Sequence, residues 1–178
     1  MNRRKAISNI VILSVGAAVL PSCSQKDEEA VKFKNFSLKN DEVNMLGQLS
    51  DTIIPKTGAP GAPDVKAHEF ILMMVDDCYE PEKQKMFTDG LKQFDKLAKD
   101  KYSTAFISCT APQRKELLTA MEKEKDVPED VLFFYETTKR HTVQAFTSSK
   151  EYMTDVLKYN LVPGSDFKGC VPVKKAAA

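Results

Sequence analysis

The sequence predicts an all-α protein: a single small domain of about five to six helices, with a leader and tether before it and an extended, turn-rich tail after it. Three observations predict this class. Apolar residues recur at three- and four-residue spacing in successive segments. Several of those segments open on helix-starting signatures, with Ser/Thr followed three residues later by Gln/Glu, or Pro at the first position. No run shows sustained apolar–polar alternation, and no internal repeat is present.

The first helix is expected over 41–53. Asn40 is a good N-cap, Asp41 and Glu42 favour the first turn, and Val43, Leu46, Leu49 or Ser50, and Ile53 share one face. Pro55 stops it, and PKTGAPGAPD (55–64) is a loop. Asp64 is expected to cap a helix over 65–78, with Phe70 or Ile71, Met74 and Cys78 inward. Pro81 suits the start of a third helix over 81–100, with Phe87, Leu91, Phe94 and Leu97 or Ala98 on one side. Thr110 and Gln113 open a fourth, carrying Leu117, Leu118 and Met121. Pro128, Glu129 and Asp130 begin a long one reaching about Phe146. Ser148 and Glu151 open a short last one, carrying Tyr152, Val156 and Tyr159. LVPGSDFKGCVPV forms the tail.

The N-terminus reads as a signal peptide over 1–22. Arg3, Arg4 and Lys5 form a basic head, and Ala6 to Leu20 is uncharged and mostly apolar. As a helix that run spans roughly 22 Å, short of the roughly 30 Å hydrocarbon core. Leu20-Pro21-Ser22-Cys23 resembles the processing site of bacterial lipoproteins. Cys23 is therefore expected to be lipidated, opening a tether over 23–37 before the helical domain at 38–178. More than one acyl chain, at about 0.8 kcal/mol per buried CH₂, anchors stably. The localisation implied is the bacterial envelope, as a membrane-anchored lipoprotein facing the periplasm. QKDEE (25–29) resembles acidic signals that send some lipoproteins to the cell surface, and reads equally as a solvated spacer. Arg3-Arg4 resembles the twin-arginine signal for export of folded proteins, and reads equally as an ordinary basic head.

Without the three basic residues of the leader, 23 Lys and Arg stand against 25 acids, a net charge of about −2. That balance speaks against nucleic acid as a partner. The seven glycines form no GxGxxG turn for a nucleotide cofactor, and CxxCH for covalent haem is absent. His68 and His141 are too far apart in sequence to suggest a metal site and read as surface or packing residues. Asp76 and Asp77 point about 100° apart on a helix and read as a solvated face. Cys109 has no evident base nearby. No catalytic, cofactor or metal residue is expected in this chain. With Cys23 taken by lipid, Cys78, Cys109 and Cys170 remain, so one disulfide and one spare thiol are expected in an oxidising compartment.

LSDTIIP (49–55), the Pro/Gly loop, AHEFI (67–71), DDCYEPEKQKMFTDGL (77–91), VQAFTSSKEY (143–152) and VPGSDFKGCVPV (162–173) together resemble the gluconate 2-dehydrogenase subunit 3 family. These are small subunits of membrane-bound sugar dehydrogenases. His141-Thr142 departs from the glycine-aromatic step usual there. The resemblance implies a non-catalytic partner of an FAD-dependent sugar or sugar-acid dehydrogenase of the glucose-methanol-choline class. FAD would sit in that large subunit and haem c in a further cytochrome c subunit. Such small subunits often carry the twin-arginine signal for both chains, a hitch-hiker arrangement. Two rival readings stand beside it: a stand-alone envelope lipoprotein that binds a small ligand or envelope component, and an enzyme of unrecognised type using the spare thiol.

Two further expectations accompany the resemblance. Cys78 and Cys170 lie in family-like stretches and Cys109 does not, so a Cys78–Cys170 disulfide is expected. It would close a loop worth about 4–5 kcal/mol in the chain-entropy model. Phe133, Phe134 and Tyr135 project in three directions around the long helix. One of them is expected outward, as partner surface.

Overall fold

The computed structural model describes residues 30–123 and 127–159. Five α-helices carry the domain: α1 (Asn40–Ile53), α2 (Ala67–Cys78), α3 (Pro81–Tyr102), α4 (Ala111–Lys123) and α5 (Glu129–Thr147). A two-stranded antiparallel hairpin, β1 (Ala30–Lys32) and β2 (Ser37–Lys39), precedes them, pairing Ala30 with Lys39, Val31 with Leu38 and Lys32 with Ser37. The protein is therefore mostly helical rather than strictly all-α. Residues 30–37, expected within the tether, belong to this hairpin. Leu38 is fully buried, so the hairpin belongs to the core. Among the described residues no helix is long and apolar enough to cross a membrane.

The core is built around α5, which packs on α3, α2 and α1. Phe134 lies against Phe87 and Phe94 with ring centroids 5.1 and 5.6 Å away, and Phe106 extends the cluster at 5.0 Å from Phe94. All four rings are fully buried, each contributing roughly 1.5–3 kcal/mol. α3 can approach α5 this closely because position 90 is glycine: a Cβ there would lie 2.1 Å from the Asp130 carbonyl oxygen. Leu117 and Met121 of α4 close the core on one side. A satellite of small residues, Ala62, Ala67 and Ala145, seats the 54–66 loop against the end of α5, with Phe70 over it.

Several local expectations are corrected. Lys39 rather than Asn40 is the N-cap of α1, and Glu42 Oε2 accepts its N–H at 2.8 Å. Asp64 does not cap α2. Its carboxylate accepts the Gly61 N–H at 2.9 Å and pairs with Lys56 at 2.6 Å, closing the loop, while Lys66 enters the helix in a left-handed conformation. The inward face of α2 is Ile71, Leu72, Val75 and Asp76, and Cys78 is exposed. Of the stripe read through Phe70 or Ile71, Met74 and Cys78, Ile71 faces inward as expected, and facing both α1 and α5 rotates the rest of this short helix away from Phe70, Met74 and Cys78. The helix cap expected from Ser148 passes to Ser149, whose hydroxyl accepts the Tyr152 N–H at 3.1 Å. The chain then makes one wide turn, Tyr152–Val156, closed by Leu157 N–H on the Tyr152 carbonyl at 3.0 Å. The expected turn-rich tail lies outside the described residues.

Asp76 is the largest surprise. Instead of a solvated face it is buried, and its two oxygens accept the N–H groups of Lys34 (2.9 Å) and Asn35 (2.8 Å) at the hairpin turn. Gln84 Nε2 caps the end of α2 from the next helix, reaching the carbonyls of Asp76 (2.9 Å) and Tyr79 (3.0 Å).

Candidate functional site

Polar chemistry is sparse. Among the described residues no group of three or more His, Cys, Asp or Glu is placed to hold a metal ion. Cys109 is buried, its thiol directed at the Ala105 carbonyl, and burial pushes it above the usual thiol range. His68 is half-buried against Gly47, and desolvation holds it below the usual imidazole value. A groove of about 540 Å³ runs between the start of α1 and α3. It carries Lys39, Asp41, Glu42, Lys92, Asp95 and Lys99, and Lys99 pairs with Asp95 at 2.6 Å, so it presents no single sign of charge to a ligand.

The most organised surface lies where α2 ends against α5. Tyr79, at the C-cap of α2, directs its hydroxyl to His141 Nε2 at 2.9 Å. Arg140 donates to the same hydroxyl from the outer side. With Arg140 donating, the Tyr79 proton goes to Nε2. His141 is then the Nδ1–H tautomer, donating to Gln144 Oε1 at 2.9 Å. Burial is the main cause holding His141 below its usual value, and the Arg140 charge adds to it. The imidazole is thus a neutral, fully bonded pin between α2 and α5. Phe133 stands edge-on to Tyr79 at 6.1 Å, and the Lys83 ammonium lies 4.9 Å over the Phe133 ring.

The three consecutive aromatics separate here. Phe134 is fully buried and Tyr135 nearly so, its hydroxyl donating to Glu122 at 2.9 Å, so neither offers partner surface. Phe133 alone is half-exposed. Tyr79, Lys83 and Arg140 were not singled out by sequence. The usable signal was the seven-residue spacing of Phe133 and Arg140, which puts them on one helix face. Cys78 is exposed, and its expected partner Cys170 lies outside the described residues, as do Arg3, Arg4 and Cys23.

The architecture is that of a small helical chain whose helices pack around α5. Residues 40–164 match the family model of gluconate 2-dehydrogenase subunit 3, from the first residue of α1 to beyond the last described turn. The chain belongs to that family. No curated protein and no solved structure matches it.

Proposed function

We propose that this chain is the non-catalytic small subunit of an exported, FAD-dependent sugar or sugar-acid dehydrogenase complex. It binds the large flavoprotein of the glucose-methanol-choline class, and a cytochrome c subunit takes the electrons. Arg3-Arg4 supply the export signal for both chains, and acyl chains on Cys23 hold the complex at the envelope membrane. A Cys78–Cys170 disulfide pins the tail, which non-reducing peptide mapping tests directly.

The observation that carries this reading is the family match through all five helices. The experiment is affinity purification of the tagged full-length chain from its own host, read by flavin absorbance and sugar-dependent dye reduction. Flavin and activity that co-purify with this chain support the reading. A chain recovered alone, stable and without flavin, refutes it and favours the stand-alone lipoprotein.

A further inference from the structure

We propose that the seam of Tyr79 and Phe133, framed by Arg140 and Lys83, is where this subunit holds its flavoprotein, and that the partner offers carboxylates to the two cations. The inference rests on the subunit role proposed above and adds the surface and its chemistry.

Four observations converge on it. Phe133 and Tyr79 are both half-buried and packed edge-on to each other, so each is fixed in the seam while part of it stays accessible. Tyr79 is further locked by His141 and Arg140, so ordering it on binding costs little side-chain entropy. Arg140 and Lys83 are both exposed, and neither lies within 4.0 Å of a carboxylate among the described residues, although Asp77, Glu80 and Glu136 stand close in sequence. The ion pairs formed among the described residues use other cations: Lys56, Lys66, Lys99, Lys101 and Lys139. Tyr and Arg are also among the residues most enriched where interfaces concentrate their binding energy, around a desolvated centre. Two cations beside an aromatic centre complement a patch of partner carboxylates around an apolar contact. A protein fits better than a lipid surface, because the rings lie in the seam and do not protrude as insertion into an interface requires.

The test uses the full-length tagged chain, purified from its host with the wild type, Phe133→Asp, Lys83→Glu and the double variant Lys83→Glu/Arg140→Glu. Lys92→Glu, in the groove between α1 and α3, is the control. Lys83 reaches only the Phe133 ring and the Met86 sulfur, outside the Tyr79 network, so its result stands even if Arg140→Glu disturbs that network; circular dichroism checks helix content. Retained flavin is expected to fall at least tenfold for Phe133→Asp and the double variant, severalfold for Lys83→Glu, and not at all for Lys92→Glu. Full retention by the first three, with flavin in the wild type, overturns the surface and leaves the subunit role standing. A wild type without flavin overturns both. In a second arm, the chain lacking residues 1–23 is mixed with vesicles of one part phosphatidylglycerol to three of phosphatidylcholine. Binding that the variants lose while keeping flavin would assign the patch to the membrane and overturn the proposal.

Discussion

Asn35 holds Asp76 through two bonds: its N–H donates to Asp76 Oδ1 at 2.8 Å, and its Nδ2 donates to the Asp76 carbonyl at 2.8 Å. This double contact fastens the hairpin turn to the last turn of α2. A two-stranded hairpin is marginal alone, so its order depends on this latch and on Leu38 in the core. Asp76→Ala is expected to cost about 2 kcal/mol or more, since two amides lose a carboxylate acceptor. Amide exchange at Lys34 and Asn35 should rise well above exchange in α3 and α5. Unchanged protection at those two amides would refute the latch.

Gly90→Ala places a methyl against the Asp130 carbonyl at the α3–α5 crossing. Helix propensity favours Ala by up to about 1 kcal/mol, whereas forcing a packed backbone apart costs about 1–3 kcal/mol. A net loss is expected in urea denaturation, and a gain would show that the crossing is looser than its contacts indicate.

Thr138 buries its hydroxyl with no partner among the described residues. Thr138→Val keeps the shape and removes the unsatisfied group, so stability should rise by about 1 kcal/mol. A loss of similar size would reveal a bond to that hydroxyl.

Both histidines are held below the usual value, chiefly by burial. Near pH 6.5 the unfolded chain takes up protons that the folded chain refuses, so folding loses stability as pH falls below that value. The exposed carboxylates of Asp64, Glu116 and Glu122 are also held down, by their partners, and their contribution fades only at more acid pH. The urea midpoint should therefore drop between pH 7.5 and 5.5. That drop should shrink in His141→Gln and nearly vanish when His68→Gln is added. An identical profile in the double variant would exclude the histidines.

The leader makes its own prediction. Cys23→Ala should yield protein that no longer partitions with detergent and carries no acyl mass. Replacing Arg3 and Arg4 by Lys should strand both this chain and its flavoprotein in the cytoplasm. Unchanged localisation of both would show an ordinary basic head.

Much of the helical body was legible because its signals are local. The helix read over 41–53 spans Asn40–Ile53, and Pro81 starts α3, read to 100 and ending at Tyr102. Phe87, Leu91, Phe94 and Ala98 are buried as their spacing required. The hairpin was not legible: strands of three residues carry no period, and the carboxylate that fastens them lies about forty positions away. Phe133 was visible as one of three candidates, but choosing it needed the packing of α5. Tyr79, Arg140 and His141 meet across more than sixty positions, a contact that neither helix announces by itself.

The pairing of Ala30 with Lys39 also sets the length of a leash. Ala30 stands only seven positions beyond Cys23, and a fully extended chain of that length reaches at most about 25 Å. With acyl chains on Cys23, as proposed, the start of α1 is kept in a shallow layer above the lipid. A flavoprotein carried by this subunit would search for its electron acceptor across a plane instead of through a volume. A short tether holds partners at about millimolar effective concentration. Electron delivery would then depend on how many complexes share a membrane area, and hardly on how dilute the surrounding compartment becomes.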